Sequence, residues 1–182
     1  MTVEGTNDPV DAAVRIRRAS AADAAALAAL AEWTFRDTYA AYNTAADMEA
    51  HVSAHFTVPV IEQELRDARC TYLVAEGDGA FRGFAQLVDG TTPACVRGPA
   101  PLEVGRFYVD RPWHGTGLAA RLMDACVAEA CARGASSLWL GVWERNPRAI
   151  RFYEKFGFAD VGVQDFHLGA DVQADRVLER ML

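Results

Sequence analysis

Residues Leu102–Ala119, LEVGRFYVDRPWHGTGLA, run from an extended apolar segment through a proline turn into a glycine pair that opens a helix. At such a junction the first N–H groups of the helix have no intrahelical partners and carry the positive end of its dipole. That arrangement is a receptor for a pyrophosphate. Around it, Leu102–Asp110 reads as a strand, Leu118–Arg133 as a helix closed by Gly134, and Ser137–Trp143 as another strand. Asn146-Pro147 opens a further helix that Gly157 ends, with cap and first-turn residues of the right type. Two strands, near 161–168 and 173–181, follow on either side of Gly169-Ala170-Asp171.

Towards the N-terminus, residues 1–13 read as a flexible tail and Val14–Arg18 alternates like a first strand. Ser20 with Asp23, and Thr44 with Asp47, are capping-box pairs for helices reaching Tyr39 and Phe56. A short third helix is expected over Val60–Ala68. Strands Thr71–Glu76 and Phe81–Val88 flank the hairpin signal Gly77-Asp78-Gly79, and residues 89–101 form a loop. Without repeats or low-complexity linkers, residues 14–182 read as a single α/β domain.

The 182 residues suffice for one domain with a substantial core. Hydrophobic content of 51% with mean hydropathy near zero describes a soluble protein, and no apolar run reaches the roughly 20 residues of a membrane span. MTVEGTNDP lacks the basic flank and apolar core of a signal peptide, so a cytoplasmic location is expected. Cys70, Cys95, Cys126 and Cys131 show no zinc-ligand spacing and read as reduced, mostly buried thiols. The net charge of −7 argues against nucleic acid as partner. Residues 111–155 nevertheless carry a net +3 against −10 for the remainder. A basic segment around the glycine pair suits an anionic ligand, and an acidic remainder suits a cationic one.

Gly115-Thr-Gly117-Leu-Ala-Ala120 also satisfies a relaxed dinucleotide fingerprint, with Glu144 as the ribose-binding acid. Against a dinucleotide-dependent oxidoreductase stands its late position, with only some sixty residues to follow. Asn146, Ala149 and Tyr153 fall on one face of the later helix and can present an amide, a small residue and a phenol to one ligand. Equally, Asn146 can simply cap and Tyr153 simply pack.

Together the two blocks resemble the GNAT superfamily of acetyl-coenzyme A-dependent N-acetyltransferases. Its phosphate motif matches His114-Gly115-Thr116-Gly117-Leu118-Ala119, with His114 where the family carries Gln or Arg. The segments IRRASAADAAALAAL (16–30), TFRDTYAAYN (34–43), YLVAEGDG (72–79), FGFADVG (156–162) and DFHLGADVQADRVLERML (165–182) resemble the bacterial branch containing polyamine N-acetyltransferases. The resemblance implies a mixed, mostly antiparallel sheet of six to seven strands, splayed at its central strand by a bulge, with flanking helices. Residues 114–119 would then hold the pyrophosphate. The backbone edge at Phe107 and Val109 would pair with the pantetheine arm, beside Asn146 and Ala149.

Tyr153 matches the family tyrosine that serves the departing thiolate. Full transfer from a phenol to a thiolate is uphill by about 2 kcal/mol, so hydrogen-bond donation is the expected role. Glu103 stands where some branches carry a base. In a regular strand it shares a face with Phe107 and Val109, about 13 Å from Phe107 at 3.3 Å per residue, a span for a water relay. It can equally be an ordinary acidic strand residue.

Thr34, Phe35, Tyr39 and Tyr42 would line an acceptor pocket or form a packing stripe. His51 and His55 lack the glutamate of a zinc helix, so no metal is expected. His167 on a late strand can approach the acceptor side. The expected partners are acetyl-coenzyme A and a small cationic, polyamine-like or peptide amine, with a homodimer left open because many relatives dimerise. A non-catalytic acyl-coenzyme A sensor is the alternative.

Overall fold

In a computed structural model that describes residues 14–182, the expected tail lies outside the described residues and the rest is one α/β unit. The elements are β1 (Arg15–Arg18), α1 (Ala24–Tyr39), α2 (Ala45–His55), α3 (Val58–Arg66), β2 (Cys70–Gly77), β3 (Ala80–Val88) and β4 (Pro101–Val109). They continue with α4 (Leu118–Ala132), β5 (Ser137–Trp143), α5 (Pro147–Lys155), β6 (Ala159–Leu168) and β7 (Asp171–Met181). All the elements read from the sequence are present. The third helix starts two residues early, because Thr57 adopts the extended cap conformation ahead of Pro59.

Local chemistry explains the boundaries. The Ser20 N–H donates to Asp23 Oδ2 at 2.7 Å, and a short 3-10 turn (Ala21–Asp23) leads into α1. Thr44 Oγ1 accepts the Asp47 N–H at 3.1 Å at the start of α2. Between β2 and β3 both Asp78 and Gly79 take positive φ, as the tight turn that matches strand twist demands.

The sheet order is β1-β2-β3-β4-β5-β7-β6, antiparallel throughout except for the β4–β5 pair. A doubly wound dinucleotide fold requires a mostly parallel sheet, so that reading is excluded. Strand β5, SLWLGVW, is apolar on both faces because both are covered. On one face α4, α5 and the turn after α5 pack Leu122, Met123, Cys126, Tyr153 and Phe158 against Ala85, Leu87 and Leu140. On the other, Leu27, Ala31 and Phe35 of α1 join Met48, Ile61, Tyr72 and Phe84. All four cysteines are free, but only Cys126 is fully buried and Cys131 is exposed, which corrects the expectation of mostly buried thiols. Among the described residues no helix is long and apolar enough to cross a membrane.

Candidate functional site

Two features of β4 create the site. Its parallel pairing with β5 stops after Glu103↔Trp139, and the strands then diverge. On its other side the register with β3 slips, Val104 facing Leu87 and Arg106 facing Gln86, so Gly105 is an unpaired bulge residue. The bulge reverses the side-chain alternation. Val104, Phe107 and Val109 lie on the α4–α5 face, whereas Glu103 shares the opposite face with Arg106 and Tyr108. This overturns the regular-strand expectation that Glu103 lies beside Phe107 and Val109. Beyond the bulge, Asp110 donates to Arg82 on β3, so by antiparallel alternation the backbone groups of Phe107 and Val109 point to the open edge.

A cleft of about 310 Å³ runs through the splay. Of the residues singled out in the sequence, Phe107, Val109, His114, Gly115, Ala119, Asn146, Ala149 and Tyr153 line it, together with Thr34 and Tyr39 from α1. Gly115 and Gly117 take φ of 80° and 89°, conformations that L side chains rarely adopt. A Cβ on Gly117 would meet nothing within 4 Å, so the need for glycine there is conformational and not steric. Gly117→Ala is therefore expected to lower the unfolding free energy by about 1–2 kcal/mol, read from a denaturant melt. Thr116 and Gly117 continue the loop outside the cleft lining, the Thr116 hydroxyl donating to the Trp113 carbonyl at 2.8 Å. The Leu118 side chain is buried against Val14 and Ala75, so only its backbone can serve a ligand.

His114 has partners on both ring nitrogens. Nε2 lies 2.7 Å from the Val109 carbonyl and Nδ1 lies 3.0 Å from an Arg148 guanidinium nitrogen. An arginine can only donate and a carbonyl can only accept, so Nδ1 takes the acceptor role and Nε2 the donor role. One consequence corrects the expectation for Val109: its carbonyl is engaged by His114, leaving its N–H for a ligand. Asn146 both caps α5, accepting from the Ala149 N–H at 3.1 Å, and lines the cleft. Tyr153 is buried among Phe107, Phe152 and Phe158, and burial pushes its phenol well up, so it stays a proton-bearing donor.

Behind the sheet gap lies a second cavity of about 130 Å³, sharing Tyr39, Gly105, Tyr108 and Gly141 with the cleft. Glu103 and Asp175 line it, with Trp143 and Gln164. Burial pushes the Glu103 carboxyl up to about 7 and that of Asp175 up to about 6. Of the residues expected to line an acceptor pocket, Tyr39 reaches both cavities. Phe35 is a core residue at 2% exposure, stacked on His51 at 4.4 Å, with only an edge on the cavity. Thr34 lines the cleft instead, its hydroxyl spent on the Leu30 carbonyl at 2.8 Å. Tyr42 is exposed against Trp143 and lines neither. His167 sits exposed on β6, on the face away from both.

Residues 27–158, well over half of the chain, match the Acetyltransferase (GNAT) family. The chain belongs to the GNAT acetyltransferase family. The enzyme class expected from sequence, an acetyl-coenzyme A-dependent N-acetyltransferase, is the class of this family. An uncharacterized N-acetyltransferase of Mycobacterium tuberculosis is 36% identical over 160 residues, covering 88% of this chain and 98% of that protein. A spermine/spermidine N(1)-acetyltransferase of Bacillus subtilis is 31% identical over 139 residues, covering 69% and 87%. Among solved structures, the PaiA N-acetyltransferase of Thermoplasma acidophilum in complex with coenzyme A shares the fold, with a TM-score of 0.74 at 20% identity over 93% of this chain and 99% of that one.

Within this GNAT frame, sequence reasoning missed Gly105, Gly141, Arg148 and Asp175. Glycines inside strands mark bulges and close approaches, a signal present in GRF and GVW. Asp175 gave no signal, because the alternation Gln173, Asp175, Val177, Glu179 reads as a half-solvated strand.

Proposed function

We propose that the protein transfers the acetyl group of acetyl-coenzyme A to a primary amine, favouring small cationic acceptors of the polyamine type, by direct attack in a ternary complex. The observation that carries this reading is the meeting of two cavities at the sheet gap: an open-edged cleft ending at a glycine loop, and a carboxylate-lined pocket behind it. The cleft suits coenzyme A chemically, offering backbone N–H groups for a pyrophosphate and a free strand edge for an amide chain. Bound there, the co-substrate supplies an acetyl thioester.

The backbone of residues 115–119 holds the pyrophosphate, with Arg148, steadied by His114, adding positive charge at the mouth. Phe107 and the Val109 N–H take the amide arm, flanked by Asn146 and Ala149. An amine enters as an ammonium without a lone pair. Glu103 takes its proton, directly or through a water at Gly105, and the freed nitrogen attacks the acetyl carbon. The C–N bond forms as the C–S bond breaks, the acylated nitrogen sheds its second proton to solvent, and the sulfur leaves as a thiolate that accepts a hydrogen bond from Tyr153. The 31% identical spermine/spermidine acetyltransferase supports the acceptor class.

Acetyl-coenzyme A is expected to raise the melting temperature, and a panel of amines to release free thiol from it. Tyr153→Phe should lower kcat by about 10-fold while leaving the KM for acetyl-coenzyme A near the wild-type value. No melting shift at saturating acetyl-coenzyme A, or no thiol release with any amine, would sink the reading.

A further inference from the structure

Asp175 and Glu179 are four residues apart on β7, face the same side and are both 7% exposed. Their surroundings differ completely. The Glu179 carboxylate accepts the N–H groups of Arg97 and Gly98, at 3.0 and 2.8 Å, and the Ser137 hydroxyl at 2.8 Å. The Asp175 carboxylate makes no hydrogen bond or ion pair among the described residues, and it is aimed into the cavity behind the gap. A Cβ on Gly141 would lie 3.1 Å from Asp175 Oδ2 and 2.6 Å from Gln164 Nε2, so the absence of a side chain at 141 keeps the space before this carboxylate open.

Burying a carboxylate without a partner opposes folding, and a fold keeps such a group where a ligand satisfies it. The complement of a buried carboxylate is a cation. Among the described residues no side chain supplies one: Arg106, whose field reaches Glu103 on the same strand, is held by both carboxylate oxygens of Glu64. Aromatic rings of Tyr39 and Trp143 line the same cavity and attract an ammonium through their faces. Its volume of about 130 Å³ equals the share of about four waters, which suits a short amine chain.

Glu103 lies at the opposite end of this space. It pairs with Trp139 of β5, whereas Asp175 pairs with Trp143, four residues further along the same strand. The two carboxylates thus stand apart at the ends of one cavity instead of sharing a single ligand atom. We propose that Asp175 determines acceptor specificity by binding a second ammonium group, so that the acceptor is a short diamine whose other amino group meets Glu103. This assignment rests on the amine transfer proposed above and narrows it from cationic amines in general to those carrying two cationic centres.

The test compares 1,4-diaminobutane with n-butylamine, which has the same carbon chain and one amino group, in mildly alkaline buffer with acetyl-coenzyme A. In the wild-type protein kcat/KM for the diamine is expected to exceed that for the monoamine by about 10²-fold. Asp175→Asn should erase this preference, with the loss falling on the KM of the diamine. Asp165→Asn, which removes an exposed acid of β6 outside both cavities, should keep it. Thermal melts with coenzyme A provide a readout free of turnover: diaminobutane should stabilise the wild type and not the Asp175→Asn protein. Because that variant loses an unpartnered buried charge, it should itself melt above the wild type. Equal use of the two amines by the wild type, or a preference surviving in Asp175→Asn, overturns the assignment. Stabilisation by the diamine that depends on Asp175, with no acetyl transfer to either amine, would uphold the site and reject the transfer. Absence of both would reject the two together.

Discussion

Glu103→Gln is expected to lower kcat/KM for the amine by about 10²–10⁴-fold, the range for losing a general base. The pH profile identifies the cause. A base works only when ionised, and burial holds this carboxyl near 7. Wild-type activity should therefore fall with an acid limb centred near that pH, and the limb should vanish in the variant. Stability should move the other way. A carboxyl whose pKa is raised by folding binds its proton more tightly in the native state, so its ionisation opposes folding as pH rises through about 7. Above that pH, Glu103→Gln should melt no lower than wild type, which separates lost chemistry from lost structure. A wild-type profile flat between pH values of about 5 and 8, or a variant retaining near-wild-type turnover, would remove Glu103 from the mechanism.

Glu64→Leu is expected to cost about 3 kcal/mol of stability, read as a fall in melting temperature of roughly 10 °C. Arg106 follows the bulge on β4 and donates to both Glu64 oxygens, at 2.7 and 3.0 Å. Tyr72 donates to the same carboxylate at 2.6 Å, and the Phe56 ring lies 5.1 Å from the guanidinium. Removing Glu64 leaves the arginine charge enclosed without its counter-ion. The Glu64 side chain keeps 25% exposure, which sets the cost at the lower end of the buried-pair range. Adding Arg106→Met should recover much of the loss, since an apolar pair needs no partner. A single variant that melts with the wild type would show that the pair contributes nothing to the fold. The pair also bears on the site: it ties down the residue next to Gly105, and with it the orientation of Glu103.

Much of the site was readable because its chemistry is local. The phosphate loop needs two glycines at positive φ before a helix, and Gly115 and Gly117 state that in four residues. Asn146, Pro147 and Gly157 delimit α5, and helical periodicity then aligns Asn146, Ala149 and Tyr153 on the cleft. His114 illustrates the limit. Its departure from the family pattern was visible, but its bonds to Val109 and Arg148 join three elements and follow from no local rule.

The sequence by itself determined the elements, the turns and the glycine cradle, because caps, left-handed glycines and apolar periodicity act over a few residues. Tertiary structure alone decided the two sides of the proposed reaction centre. A one-residue bulge at Gly105, set by pairing with β3, turned Glu103 away from Phe107 and Val109 and into the second cavity. Packing between α1 and α2 drew Phe35 into the core, and the β5–β7–β6 pairing brought Asp175 to the same cavity from 72 residues downstream of Glu103. Strand register and helix docking are contacts between distant segments, and a side chain's face depends on them as much as on its own alternation.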